Sequence, residues 1–391
     1  MDFRDSPEDA AFRAEVCNFI AAELPADLRA DDDAVLGVGV GENPRDMDWL
    51  RKLATRGWVA PAWPKEFGGA GLSVMQQFIF NEEMARAAAP RPNFLAIGLA
   101  GPTIIVHGDD DQKRQHLSGI LSGETFWCQG FSEPGSGSDL ASLQTKATQD
   151  GDDFIINGQK IWTSGAHRAD RMMLLARTDT EQPKHKGISY FLLDMKTPGV
   201  TVRPLTNMAD TPSFNEVFFD NVRVPKKDLL GEANRGWYYA TTTLDFERSG
   251  IINGVALQKL VRETMDWVAA HPRRDGAWPG VRIELAERWI ETEISIVLSY
   301  RVATMQARGL VPTQEASITK LFGSELAQRI AKTGIKAAGL FGQLSAGSAH
   351  APLGGRFDGW YRIAVGSTLA GGTSEIQRGV IAQRGLGMPR G

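Results

Sequence analysis

Between residues 122 and 230 the apolar residues of this chain switch from helical to strand spacing, and afterwards they switch back. The runs FIINGQKIW, MMLLART, ISYFLLDM, VTVRPL and NEVFFDNVRV are short, rich in β-branched and aromatic residues, and punctuated by Asn-Gly and Pro-Gly turns. They predict a small antiparallel sheet or barrel. Before it, Ser6-Pro7-Glu8-Asp9 reads as a helix start, with a serine N-cap and proline at the first helical position, and Phe12, Val16, Phe19, Ile20 and Leu24 follow at helical spacing. Helices dominate up to about residue 120. After the strand-rich block, Leu244, Ile251, Val255, Val261, Met265 and Val268 fall on one helical period, and WIETEISIVLSYRVATMQARGL and ITKLFGSELAQRIAKTGIKAAGLFG continue it. A helical bundle is expected there. The fold class is therefore α+β in three parts: an N-terminal helical domain over 1–121, a middle antiparallel β domain over 122–231, and a C-terminal four-helix-type bundle over 232–391.

Composition narrows the functions. The 391 residues are 42% hydrophobic and 23% charged, enough for two or three domains with packed cores. A formal net charge of −4 provides no basic field for nucleic acid. Cys17 and Cys128 are too few for a disulfide framework and too far apart to point to a metal site, which fits a reducing compartment. MDFRDSPEDA has neither signal-peptide nor transit-peptide character, and no segment carries 18 uninterrupted apolar residues. The expectation is an unexported, cytoplasmic chain with no membrane partner. The acidic, glycine-rich text from Asp31 to Pro44 reads as a loop. Its glycines mimic a dinucleotide fingerprint only superficially, because no strand precedes them.

Several separated stretches, in this order, make the chain similar to the acyl-CoA dehydrogenase family: GWVAPAWPKEFGGAGLS, HGDDDQKRQHLSGILSGE, FSEPGSGSDLASLQTKA, INGQKIWTSG and GGTSEIQR. The likeness covers nearly the whole length. It implies a flavoenzyme that holds FAD between the β domain and the C-terminal bundle and removes two hydrogens from Cα and Cβ of an acyl-CoA thioester. It also implies electron-transfer flavoprotein as the electron acceptor.

The motif residues make physical sense for that chemistry. In FSEPGSGSD, Gly135 and Gly137 let backbone N–H groups approach an acceptor-rich ligand, and the hydroxyls of Ser132 and Ser138 can donate or accept. By composition alone the same text is a Ser/Gly surface turn. The resemblance places Gln129, Phe131 and Ser132 at the flavin and Ser138 toward the CoA thioester. It places Trp162 and Ser164 beside the flavin ring, where an indole excludes water and a hydroxyl stabilises charge arriving at N5; otherwise Trp162 is one of ten tryptophans that can serve as core. Thr373, Ser374 and Glu375 are assigned to FAD in the same way.

Many family members read Tyr-Glu-Gly-Thr near the C-terminus, with that Glu as catalytic base. Here the corresponding residue is Gly371. A smaller group carries the carboxylate on the first long helix of the C-terminal bundle, which in TTLDFERSGIING assigns it to Glu247. Only the position of the carboxylate oxygen near the substrate α-carbon matters, so the transfer between segments is chemically sound. Without the resemblance, Glu247 beside Arg248 and near Asp245 reads as a solvated helix face. Gly371 keeps its N–H, which in the family binds the thioester carbonyl and stabilises the developing enolate oxygen. Asp245, Phe246, Arg248 and Gly372 are the remaining candidates for substrate contact.

Two departures concern assembly. Homotetrameric members complete each FAD site with Arg-x-x-Phe and Gln-x-x-Gly-Gly motifs from a neighbouring subunit. Here those regions read HPRRDGAWPGVRIELAE, where neither Arg273 nor Arg274 matches clearly, and AAGLFGQLSAGS, where Gly339 stands at the expected glutamine. The pattern resembles paired members acting on steroid side chains or dicarboxylic acyl-CoAs and implies a homologous partner chain, α2β2. A homotetramer using Arg274 with Trp278 is the alternative. Two further readings stay open on this scaffold: a non-catalytic subunit that completes another chain's FAD site, and an acyl-CoA oxidase.

Overall fold

The computed structural model describes residues 4–28, 44–245, 250–271 and 279–389. Of the loop read from Asp31 to Pro44, residues 31–43 lie outside them and Pro44 instead begins a helix; Phe246, Glu247, Arg248, Arg273, Arg274 and Trp278 also lie outside. The described elements cluster into two units. One contains α1 (Pro7–Glu23), α3 (Val74–Arg86), α7 (Ile251–Ala270), α8 (Pro279–Ala307), α9 (Thr313–Ala338), α10 (Arg356–Ser367) and α11 (Ser374–Val380). The other contains α2 (Pro44–Ala54), α4 (Gly101–His107), α5 (Asp110–Ser122), α6 (Gly236–Asp245) and a seven-stranded sheet.

The sheet is built around β4 (Arg171–Arg177). One edge of β4 pairs along its whole length with antiparallel β5 (Ile188–Asp194). The other edge is shared by β1 (Trp127–Gly130), parallel to residues 171–174, and the start of β2 (Lys146–Asp150), parallel at Arg177. From β2 the sheet continues antiparallel through β3 (Asp153–Lys160), β7 (Phe214–Val224) and β6 (Val200–Leu205). The expected sheet is thus present and mostly antiparallel, with parallel pairing where β1 enters from the helical side. Because β4 and β5 are covered on both faces, they read as continuous apolar runs rather than alternating ones. Met173, Leu175, Tyr190 and Leu192 pack with Leu99, Ile104 and Leu117 of the helices, whereas Met172, Leu174, Phe191 and Leu193 pack with Ile156, Val217 and Val222 of the other strands.

Along β7 the buried residues run 215, 217, 219 and then 222, 224. One extra residue accounts for the change of parity. Between Ile156 and Gly158 of β3 the register against β7 shifts from Val222 to Phe219, and Asn221 takes up the slack at φ 50°. Its N–H donates to the Asn157 side chain at 2.8 Å. This bulge returns Val222 and Val224 to the core face.

In the helical unit, Ser6 caps α1 as expected, accepting the Asp9 N–H at 3.1 Å, with Pro7 at the first position. Arg13 of α1 binds Asp5, Glu82 at 2.9 Å and Glu83, and Tyr300 of α8 also donates to Glu82 at 2.8 Å. Burial works against the Glu82 carboxylate, but Arg86, Tyr300 and Arg13 outweigh it and hold its pKa below the usual range. Leu257, Leu260, Leu285, Leu326, Ile330, Phe357 and Trp360 form the bundle core. The helical period expected over 244–268 divides: Leu244 belongs to α6, and the other five residues to α7, which starts behind Gly250 in a left-handed conformation at φ 64°.

The bulge yields a test. Asn221→Val forces a β-branched residue into a left-handed conformation and should destabilise by about 1–2 kcal/mol, whereas Asn221→Gly should stay within about 0.5 kcal/mol of wild type. Urea unfolding of the two variants measures both.

Candidate functional site

The first group of site residues is organised by a buried ion pair. Lys160, the last residue of β3, is fully buried, and its ammonium donates to a Glu133 carboxylate oxygen at 2.8 Å and to the Phe131 carbonyl at 2.9 Å. Glu133 also accepts the backbone N–H groups of Gln144 and Thr145, at 2.5 and 2.9 Å. Burial pushes the Lys160 amine down to about 8 against the attraction of Glu133. Desolvation likewise opposes the Glu133 carboxylate, but Lys160 and the two backbone donors outweigh it and leave the carboxyl below the usual range. This pair was not among the residues singled out in the sequence. The available signal was a lysine on the inward parity of a strand, since Phe154, Ile156 and Lys160 are the buried positions of β3.

The pair fixes what lies next to it. Beyond Lys160, the Ile161 N–H donates to the Ser132 carbonyl at 3.0 Å, joining the 131–136 turn to the 161–165 segment. Trp162 then adopts φ 61° and exposes 59% of its surface, touching Phe214 edge-on at 5.9 Å. A tryptophan that is both left-handed and outward-facing is unexplained by packing. Ser164 is half-buried beside fully buried Thr163. The Thr163 hydroxyl and the Gln129 amide nitrogen are buried without a hydrogen-bond partner among the described residues. Phe131 is buried, Ser132 half-buried and Ser138 exposed. A Cβ at Gly135 or Gly137 would meet nothing within 4 Å among the described residues. The neighbouring Asp139 binds Ser142 and Lys184 as an ordinary surface turn does.

The second group lies in the helical unit, between α10 and α11. Gly371 and Gly372 have φ of 63° and 87°. Gly371 is exposed, a Cβ there meets nothing within 4 Å, and its N–H makes no hydrogen bond among the described residues. The Thr373 hydroxyl caps α11 by accepting the Ile376 N–H at 3.2 Å. Ser374 is buried, and its hydroxyl has no hydrogen-bond partner among the described residues. Glu375 is exposed, and its own N–H together with the Thr373 hydroxyl lowers its carboxyl pKa. Gly339 ends α9 at φ 61°. Of the residues assigned around the base, Phe246, Glu247 and Arg248 lie outside the described residues, and Asp245 is the last residue of α6.

Buried polar atoms without partners are rare in folded proteins, because each costs about 1–3 kcal/mol. In the helical unit Ser374 carries such an atom; in the β-rich unit Gln129 and Thr163 do, and with the exposed indole of Trp162 these two fit a ligand rich in hydrogen-bonding groups and bearing a flat ring. FAD has that chemistry. Among the described residues no cluster of His, Cys, Asp and Glu could hold a metal ion, and no helix is long and apolar enough to cross a membrane.

The chain matches known proteins along nearly its whole length. The model of the acyl-CoA dehydrogenase N-terminal domain matches residues 6–124, that of the middle domain 128–222 and that of the C-terminal domain 234–386. The acyl-CoA dehydrogenase FadE26 of Mycobacterium tuberculosis is 35% identical over 399 residues, covering 98% of either chain. The mitochondrial short-chain specific acyl-CoA dehydrogenase of Mus musculus is 30% identical over 345 residues, covering 85% of this chain and 81% of its own. The solved Tcur3481–Tcur3483 steroid ACAD superposes with a TM-score of 0.86 at 35% identity over 100% of both chains. The ChsE4–ChsE5 complex from Mycobacterium tuberculosis does so with a TM-score of 0.85 at 34% identity, again over 100% of both.

The ion pair predicts an asymmetric response to mutation and pH. Lys160→Met leaves Glu133 buried beside an apolar chain and should cost about 3–5 kcal/mol, more than the double variant with Glu133→Gln. The Glu133 carboxyl has a lower pKa folded than unfolded, so the stability it contributes is present above the unfolded value and lost as pH falls through the folded one. Chemical denaturation from about pH 5 to about pH 3 should therefore show wild type losing stability faster than Glu133→Gln. Parallel pH curves would show that the carboxylate does not stabilise the fold.

Proposed function

The chain belongs to the acyl-CoA dehydrogenase family and is a FAD-dependent oxidoreductase of acyl-CoA thioesters; from that premise we propose that it forms the trans-2-enoyl-CoA with Glu247 as base and Gly371 as oxyanion donor. The observation that carries this reading is Gly371 itself. It has no carboxylate, and among the described residues nothing stands where a side chain would begin and its N–H has no partner. An α-proton is weakly acidic, and a donor held at the thioester oxygen lowers the cost of removing it. Glu247 takes the α-proton in this scheme, and enclosure beside the thioester raises its pKa and strengthens it as a base. When bound, FAD supplies the acceptor for the β-hydride at N5. Gln129, Phe131, Ser132, Trp162, Ser164, Thr373, Ser374 and Glu375 are proposed to hold it. Ser138, Asp245, Phe246, Arg248 and Gly372 are proposed to contact the thioester substrate.

Substrate shape and assembly follow from the same residues. Moving the carboxylate off position 371 leaves room there, so bulky, branched or cyclic acyl groups are the proposed substrates. The steroid ACAD among the solved relatives supports this. For assembly we propose a hetero-oligomer, α2β2, with a homologous chain supplying the arginine and glutamine motifs. Gly339 at the end of α9 and the two-chain character of the ChsE4–ChsE5 relative support it over a homotetramer. Electron-transfer flavoprotein is the proposed acceptor.

Glu247→Gln should keep FAD and ligand binding and lose about 10²- to 10⁴-fold in turnover; near-wild-type turnover would remove Glu247 from the mechanism. A panel of acyl-CoA thioesters tested for anaerobic flavin bleaching should favour bulky acyl groups, and a preference for butyryl-CoA would overturn the argument from space. Gly371→Glu should reduce activity on bulky substrates specifically, although the left-handed backbone adds about 1–2 kcal/mol of strain. For assembly, the chain should be expressed alone and with a homologue, and FAD per chain and mass measured. A fully active homotetramer with one FAD per chain would exclude the paired assembly.

A further inference from the structure

The glycine pair at 371 and 372 is tied down in an unequal way. Its carbonyls are bound and its amides are not. Lys320 of α9 donates to the Gly372 carbonyl at 2.6 Å, while the Gln377 amide donates to the Gly371 carbonyl at 3.0 Å and to that of Gly372 at 3.4 Å. Neither Gly371 nor Gly372 uses its N–H among the described residues. The rest of the turn is fastened to the same side of α9. The Ser367 hydroxyl donates to the Ser324 carbonyl at 3.1 Å, Gln328 donates to the Thr368 hydroxyl at 3.1 Å, and Arg378 pairs with Glu325 at 2.6 Å. Residues 320, 324 and 328 recur every fourth position, so they form one stripe on the helix.

We propose that Lys320 and Gln377 are positioning residues for the reaction, which hold the left-handed Gly371–Gly372 peptide planes so that the Gly371 N–H stays directed at the thioester oxygen. Glycine has no side chain to restrain φ, and two successive left-handed glycines have many alternative conformations. A free N–H on such a turn stabilises a developing oxyanion only if its direction is fixed before the reaction starts. The two carbonyl tethers hold the peptide planes that follow Gly371 and Gly372, and on the preceding side the Ala370 N–H donates to the Gly366 carbonyl at 3.1 Å, so rotation at Gly371 is limited from both ends. The inference rests on the reading that Gly371 receives the thioester oxygen.

The test separates proton abstraction from hydride transfer. An acyl-CoA with a quaternary β-carbon has an α-hydrogen but no β-hydrogen, so it exchanges its α-proton with D2O without being oxidised. Exchange is followed by NMR on holoenzyme, per bound flavin, alongside ligand affinity. Lys320→Met should lower the exchange rate about 10-fold or more with little change in ligand affinity, because the lost interaction acts chiefly on the transition state. Lys320→Arg keeps a charged donor and should recover to within about three-fold of wild type. Gln377→Leu should give a smaller loss of the same kind, and it carries the test if Lys320→Met does not fold. Unchanged exchange per flavin in Lys320→Met, or in Gln377→Leu where that variant stands in, would overturn the proposal, even if flavin content or thermal stability fell. Absence of exchange in the wild type would instead refute the thioester reading on which the proposal stands.

Discussion

A lysine ammonium in the interior must have an anionic partner close by, and the β-rich unit is arranged around meeting that requirement. Lys160 is fully buried and Glu133 nearly so, and either charge left alone would cost several kcal/mol. The pair therefore has to form in one arrangement, with the end of β3 against the 131–136 turn. That arrangement brings the Phe131 and Ser132 carbonyls onto Lys160 and Ile161. Ser132 makes one of these contacts itself and Trp162 directly follows Ile161, so the residues proposed to face the flavin take their positions from this ion pair.

The C-terminal turn solves a different problem. A carboxylate at position 371 would combine the base and the oxyanion donor on one residue, whereas glycine keeps only the donor. The proposed separation of the two functions would free volume at the thioester but gives up the side chain that would restrain the backbone. Tethering the neighbouring carbonyls from α9 and α11 restores the restraint without filling the space. The stripe at Lys320, Ser324 and Gln328 is thus as much a part of the glycine motif as the glycines are.

Some of this was legible in the sequence, and the reasons differ by element. The α1 start at Ser6-Pro7 was readable because capping is a local hydrogen bond between residues three apart. The sheet was readable from its apolar runs, yet the parallel entry of β1 was not, because four residues, WCQG, carry no record of their partner strand. The bulge at Asn221 appears in the sequence only as Asp-Asn inside the run NEVFFDNVRV, a pair that a turn would also contain. The division at Gly250 was missed because the apolar period continues in phase across it. At the site, Gly371 was identified by what it replaces, while Lys160 and Lys320 were passed over because a lysine is ordinarily solvated. Their roles depend on neighbours 27 and 52 residues away.

Trp162 joins these threads. Its left-handed conformation costs about 1–3 kcal/mol, and such strain persists only where the surroundings over-determine the backbone. They do so here on both sides. Ile161 is bonded to Ser132, the Thr163 N–H donates to the Asn215 carbonyl at 3.1 Å and the Gly165 N–H to that of Ser213 at 3.1 Å, and the Asn215 amide donates to the Thr163 carbonyl at 2.9 Å. The result of this restraint is an indole held outward, with more than half its surface exposed. Burying it instead would gain hydrophobic free energy and relieve the strain together, so fold stability alone does not account for the arrangement. A flat ligand laid against the ring does account for it, because binding then covers the apolar face that folding leaves open.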